Sequence, residues 1–268
     1  MHQEFESPEA LRDTIKCFWY ERRDFGDQES EFEVAPDGYA EIIFYFGTLS
    51  RIAHDGLPQY LPSPFIMGLL NRPAVFRSKN RLEIIGVRCF PWTVFDLLGL
   101  PSGPGGVYLF EHPVANLQPL LHSLMNAGRI HDVLTAVKQY FLHVRSQVAI
   151  DSMLFKAGHA IREANGTIPV SQVAAAAHTT TRTLERKFKH SSGFTVKNVS
   201  GLTRFEQVRN QLWLDPDSNL VGLAHELGYT DQAHLSREFK RYSGTTPAAF
   251  ARKRKQVVNN DFVAFVQA

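Results

Sequence analysis

The chain has 268 residues, 44% of them hydrophobic and 21% charged, with 29 Lys and Arg against 27 Asp and Glu. That balance belongs to a globular protein rather than a disordered or fibrous one, and the length suits two cores of ordinary domain size. The apolar runs Ala35–Phe46 and Ile84–Leu100 are broken by charge, Gly or Pro short of the ~20 residues of a membrane span, so no spanning helix is expected.

The N-terminus, MHQEFESPEALRD, is acidic and lacks a basic segment followed by an apolar stretch. It therefore does not read as a signal peptide, and a cytoplasmic protein is expected. Charge divides unevenly along the chain. Residues 1–150 hold 13 Lys and Arg against 17 Asp and Glu, a balance of −4, whereas residues 151–268 hold 16 against 10, a balance of +6. A basic C-terminal part suits a polyanionic partner, although a +6 domain can also be merely soluble.

In the first part, Glu31–Val34, Tyr39–Phe46 and Glu83–Phe90 are short β-rich runs separated by Pro-Asp-Gly, Leu-Pro and Asn-Arg-Pro turns. They predict an antiparallel barrel or sandwich. Helices are expected near 92–99 and from about 115 to 144, where Leu117, Leu120, Leu121, Leu124, Ile130, Val133, Leu134, Val137 and Phe141 recur at helical intervals.

Cys17 and Cys89 lie far apart without CxxC spacing, which argues for buried thiols over structural zinc or a redox pair. His54, His112, His122, His131 and His143 form no HxH or HxxxH pair, so neither a metal nor another cofactor is expected. Gly103-Pro104-Gly105-Gly106 lacks the Lys of a phosphate loop, and no nucleophile elbow or dinucleotide fingerprint occurs. No catalytic residue is assigned. Trp19, Tyr45, Phe65, Trp92 and Phe95, with Arg72 and Arg88, are candidates to line an effector pocket. The plainer reading of such aromatics is core.

The second part repeats itself. Val173–Arg182 aligns with Leu223–Gln232 at an offset of 50, and after one extra residue Leu184–Lys189 aligns with Leu235–Lys240 at an offset of 51. Each copy reads as a short apolar helix, a tight turn and a second helix anchored by apolar residues four apart, which is helix-turn-helix geometry. Thr180 and Thr230 stand at or near the caps of the second helices, and Ser-Gly pairs at 192–193 and 243–244 end them.

Burying Leu184 with Phe188, and Leu235 with Phe239, turns outward Thr181, Arg182, Glu185, Arg186 and Lys189 in the first copy. In the second copy the outward set is Gln232, Ala233, His234, Ser236, Arg237 and Lys240. These side chains suit a major groove, where Arg can be bidentate to guanine, Gln to adenine, and Lys and Thr can hold phosphates. A single polar helix face is as readily a solvated one; two at the same pitch favour DNA. Between the copies Leu202, Phe205, Val208, Leu212 and Trp213 predict a long linker helix ending at Asp215-Pro216-Asp217.

The run LAHELGYTDQAHLSREFKRYSGTTPAAFARK, Leu223–Lys253, resembles the signature segment of the AraC/XylS family of transcription regulators, and residues from about 152 to 253 follow that family's layout. The resemblance implies a seven-helix DNA-binding domain with recognition helices near 180–190 and 230–241. It places base and phosphate contacts on Arg182, Glu185 and Arg186, and on Gln232, Ala233, His234, Ser236 and Arg237. His178, standing where a small turn residue is usual, and Val196-Lys197 at the start of the linker helix are departures in the first copy. The Pro36-Asp37-Gly38 turn and the run VRCFPWTVFDLLGLP, Val87–Pro101, resemble the cupin-like sensors that precede this module in many members. That implies effector binding or dimerisation.

The expected architecture is α+β. A β-rich cupin-like sensor or dimerisation domain with helices spans 1–150, an all-α double helix-turn-helix domain spans 151–255, and a tail spans 256–268. Arg252–Lys255 either ends the domain in solvent or touches phosphate, and the apolar Phe262–Val266 is expected to dock on the protein. The function expected is that of a one-component, sequence-specific transcription regulator and activator, not an enzyme. Its partners would be double-stranded promoter DNA, a small-molecule effector, RNA polymerase and a second copy of the chain. The alternative is an enzyme whose catalytic barrel is tethered to a DNA-binding module.

Overall fold

The computed structural model describes residues 1–53, 56–99 and 106–257. His54, Gly103-Pro104-Gly105 and the apolar tail at 262–266 lie outside them. Among the described residues ten antiparallel strands come first: β1 (His2–Glu6), β2 (Ile15–Asp24), β3 (Ser30–Val34), β4 (Ala40–Phe46), β5 (Ser50–Ile52), β6 (Pro58–Tyr60), β7 (Phe65–Met67), β8 (Ala74–Ser78), β9 (Arg81–Cys89) and β10 (Val107–Tyr108). They form a six-stranded sheet in the order β1-β2-β9-β4-β7-β10 and a four-stranded sheet in the order β3-β8-β5-β6.

The large sheet is covered on both faces, which explains why β4 reads Ala-Glu-Ile-Ile-Phe-Tyr-Phe instead of alternating apolar with polar. Its inner face turns Cys17, Trp19, Ile43, Phe65 and Ile84 against Phe32, Val34, Leu49 and Phe76. The space between the sheets is filled, and the void left among Trp19, Phe32, Phe65 and Phe76 is only about 20 Å³. Gly86 faces Trp19 across the β2–β9 pair, and a Cβ there would fall 1.9 Å from the indole.

The other face turns Phe18, Tyr20, Ile42, Phe44, Ile85 and Val87 against three helices, α1 (Val94–Leu98), α2 (Gln118–Asn126) and α3 (Ile130–Gln147). The segment expected as a helix from 115 to 144 is thus two helices, broken at Gly128 with φ +70°. Cys17 and Cys89 are both free and buried in cores on opposite faces of the sheet.

Seven helices follow: α4 (Ser152–Glu163), α5 (Val170–Ala176), α6 (Thr181–Ser192), α7 (Val196–Leu214), α8 (Leu220–Glu226), α9 (Gln232–Ser243) and α10 (Pro247–Val257). Their core runs from Leu154 and Ile161 through Leu184 and Phe188 to Phe205, Leu235 and Phe239. Two residues of the β-rich part join it, Leu69 and Trp92. Trp92 stacks on Phe90 with centroids 5.5 Å apart, lies 6.0 Å from the Phe188 ring, and occupies the space left by the missing side chain of Gly158. The aromatics considered for one pocket are dispersed accordingly: Trp19, Tyr45 and Phe65 belong to the inter-sheet core, Phe95 to the sheet-helix core and Trp92 to the helical core.

Candidate nucleic-acid interface

Each repeat folds as the offsets require. α5 and α8 are seven residues each at an offset of 50, and α6 and α9 are twelve residues each at an offset of 51. The turns differ by the extra residue but share one feature, a left-handed residue after the first helix: His178 at φ +51° and Gly228 at φ +67°. Only glycine holds that conformation without cost, so His178 carries a mild penalty that Gly228 does not.

Side-chain caps start the second helices. Thr180 Oγ1 accepts the Thr183 N–H at 3.2 Å, and Asp231 Oδ1 accepts the His234 N–H at 2.6 Å. The cap of α9 is therefore Asp231, one residue beyond the Thr230 flagged in the sequence; Thr230 contacts His234 Nδ1 through its hydroxyl at 3.3 Å instead. A capping box at Thr195 and Asn198 starts α7.

The inner faces are closed: Leu184, Phe188 and Leu235 are 0% exposed and Phe239 is 1% exposed. At roughly 1.5–3 kcal/mol per buried large apolar side chain, each pair fixes the rotation of its helix firmly. Thr181, Arg182, Arg186 and Lys189 are left exposed on α6, and Gln232, Ala233, Arg237 and Lys240 on α9. Among the described residues Arg182, Arg186, Arg237 and Lys240 make no ion pair or hydrogen bond, so their charges are available to a partner.

Three members of the sequence-derived set are more enclosed. His234 is half-buried with its ring edge-on to Tyr229 at 5.3 Å, and Ser236 is half-buried. Glu185 is half-buried, and its Oε2 accepts the Val196 N–H at 3.1 Å, so it satisfies a free donor at the start of α7.

Other basic residues of this part hold the fold together. Lys187 Nζ lies 2.6 Å from Asp151, the cap of α4. Burial works to raise the Asp151 carboxyl, but the Lys187 bond and the Met153 N–H outweigh it and hold the group below the usual range. Arg204 pairs with Glu238 at 3.2 Å and donates to the Gly166 carbonyl at 2.9 Å.

Two more arginines bridge the β-rich and helical parts. Arg162 donates to the Tyr39 hydroxyl at 2.9 Å and the Gly38 carbonyl at 2.8 Å, with its guanidinium 4.1 Å over the Tyr39 ring. Arg209, 3% exposed, donates to the Pro36 carbonyl at 2.9 Å. Beside them burial pushes the Glu206 carboxyl up. Neither arginine was singled out from sequence, although Arg209 falls on the apolar stripe of the linker helix, between Phe205 and Leu212. A charge at such a position signals a buried partner.

Residues 173–253 match a family described as a helix-turn-helix domain, and residues 3–104 match one described as a domain of unknown function (DUF6597). No curated protein matches the chain. Among solved structures, ToxT from Vibrio cholerae is similar over 88% of this chain and 98% of its own, at 9% identity and a TM-score of 0.46. A transcriptional regulator with an AraC-type DNA-binding domain from Chromobacterium violaceum is similar over 39% of this chain and 94% of its own, at 20% identity and a TM-score of 0.37. The DNA-binding domain of AdpA, solved in complex with a target DNA, is similar over 41% and 98%, at 22% identity and a TM-score of 0.37. Residues 173–253, which hold the signature run on α8–α10 and both outward-faced helices α6 and α9, are therefore a helix-turn-helix domain.

Proposed function

We propose that one molecule reads a promoter with both recognition helices, α6 and α9, laid into successive major grooves on one side of the duplex. The observation that carries this reading is the repetition itself: two twelve-residue helices with the same buried pair and the same outward polar face. α7 is a spacer of suitable length, since its nineteen residues run about 28 Å at 1.5 Å per residue, close to the ~34 Å helical repeat of DNA. Arg182 and Arg186 suit guanine, Gln232 suits adenine, and Lys189, Arg237 and Lys240 suit phosphate or guanine. Thr181, Glu185, Ala233, His234 and Ser236 complete the contact surface.

The same reading divides the chain near residue 150, with residues 1–150 serving as a sensor or dimerisation domain, 151–255 as the DNA-binding domain and 256–268 as a tail. A small-molecule effector acts through the first part, RNA polymerase is the downstream partner, and the cytoplasm is the compartment. No covalent chemistry is required. Selection of bound sequences from a random duplex pool, with the full chain at stated salt, tests it because salt sets the non-specific background. A motif of two boxes about one helical turn apart is the expected result. A pool that stays random while affinity falls steeply with salt would leave electrostatic binding alone and refute the reading.

A further inference from the structure

An open cleft of about 500 Å³ lies between the small sheet and the second helix-turn-helix unit. On one side stands the outer face of the small sheet, where Glu33 and Val75 are cross-strand partners. On the other stand Trp213 near the end of α7 and Phe250 on α10. Val75, Trp213 and Phe250 are each half-buried, so apolar surface from both parts faces solvent across the gap. Apolar surface gathered in this way marks a contact site.

The chain continues from one wall of this cleft. α10 contributes Phe250, Lys253 and Arg254 to the lining and ends at Val257, and eleven residues follow it, VNNDFVAFVQA. Asn259-Asn260-Asp261 is a turn-forming sequence. Residues 258–261 span up to about 13 Å at ~3.3 Å each, more than the roughly 5 Å of helix between Arg254 and Val257. A chain reversed at the asparagines therefore brings Phe262 back to the level of Lys253.

Charge favours the same path. Lys253 is exposed and, among the described residues, makes no ion pair or hydrogen bond. With Arg209 and Arg254 it lines the cleft against a single carboxylate, Glu33, so a segment led by Asp261 meets an excess of positive charge. A second groove beside α10, about 240 Å³ between Ala248 and Leu220, fits less well. It carries no aromatic residue, and its Lys255 is already paired with Asp217.

We propose that the larger cleft is the docking site of the chain's own C-terminal segment, residues 258–268. Phe262 and Phe265 lie against Trp213, Phe250 and Val75, and Asp261 pairs with Lys253. The covalent link makes the encounter intramolecular, at an effective concentration on the order of millimolar for so short a linker, so a weak contact suffices. Because the segment touches both walls, it ties the second helix-turn-helix unit to the small sheet. DNA plays no part in this contact, and its failure would leave the promoter reading untouched.

Acrylamide quenching of the full chain tests occupancy. Of the three tryptophans, Trp19 is 0% and Trp92 2% exposed, so quenching reads Trp213. Phe262→Ser combined with Phe265→Ser should about double the quenching constant without changing the circular dichroism, and Lys253→Glu should raise it as well. Unchanged quenching in the double variant overturns the proposal. Disulfide trapping tests position, with Cys17 and Cys89 buried and silent, since a disulfide needs Cα atoms within about 7 Å. Ala264→Cys should cross-link within one chain to Val75→Cys about tenfold faster than to Leu120→Cys, on α2 at the far face of the large sheet. Equal rates overturn the proposal, as does faster trapping by Ala248→Cys in the smaller groove. Cross-links formed only between chains overturn it too, and would give the cleft to a second copy.

Discussion

Gly158→Ala on α4 should destabilise the protein, and the sign of the effect is the informative part. In an open helical position the change gains roughly 1 kcal/mol, because glycine is the poorer helix former. Here the new Cβ would lie 2.1 Å from Cζ2 and 2.3 Å from Cε2 of Trp92. The indole cannot easily yield, since it is 2% exposed and confined by Phe90, Phe188 and the Arg162 guanidinium. Overpacking costs about 1–3 kcal/mol, and contacts as short as 2.1 Å belong at its upper end, about 2–3 kcal/mol, so after the propensity gain a net loss of roughly 1–2 kcal/mol is expected. Urea unfolding followed by far-ultraviolet circular dichroism measures it, in wild type and in a Trp92→Ala background. In that background the clash is gone, and Gly158→Ala should become neutral or stabilising. A stabilising effect in the wild type, or the same effect in both backgrounds, would show that Trp92 does not seat on Gly158.

Gln232→Ala should relax preference by about 1–3 kcal/mol at one base position, whereas Lys240→Ala should weaken all sequences alike and reduce the salt slope; equal loss on every sequence for Gln232→Ala counts against a base contact. Glu185→Ala should cost about 1 kcal/mol of stability through the lost cap on the Val196 N–H, which Glu185→Gln should largely restore because its amide oxygen still accepts that N–H; altered preference at one base position in Glu185→Gln with stability restored would separate a base contact from the structural one. The depressed Asp151 carboxyl stabilises the fold above its unfolded pKa, and this contribution is lost as pH falls through the lower folded value. The gap in urea midpoint between wild type and Asp151→Asn should therefore be constant near neutrality and close below about pH 4; a gap that persists at pH 2.5 rules out the charge as its source.

The helical part was legible in the sequence because its signals are local. An apolar pair four residues apart sets the rotation of each recognition helix, a cap starts it, and duplication writes the pattern twice. The sequence places Thr230 at or next to the cap of α9 without choosing, because Thr230 and Asp231 are both competent acceptors and only the backbone decides that Asp231 stands before the first helical turn. The β-rich part was less legible. β2, the longest strand, was not picked out, since burial on both faces of the large sheet removes the alternation that marks a half-exposed strand. Trp92 lies in a run that reads as the approach to a short helix, and its destination is a glycine 66 residues further on. Neither residue states that contact by itself. Glu185 looked like a groove-facing side chain because helical spacing fixes its direction but not the free N–H of α7 beside it.

The change of offset from 50 to 51 between the first and second helices of the repeats has a practical meaning for anyone recoding the recognition surface. The shift falls in the turn, so the counterpart of Gln232 is Thr181, that of Ala233 is Arg182, and that of Arg237 is Arg186. A transplant aligned on the first helices alone would be one residue out. It would set Leu235, an anchor of the core, onto the position of Glu185, and strip α7 of its cap while adding an apolar side chain to the outer face. Swaps made in the 51-residue frame exchange outward residue for outward residue. The two halves of the proposed contact surface can then be rewritten independently, or made identical, without touching the interior that holds them in place.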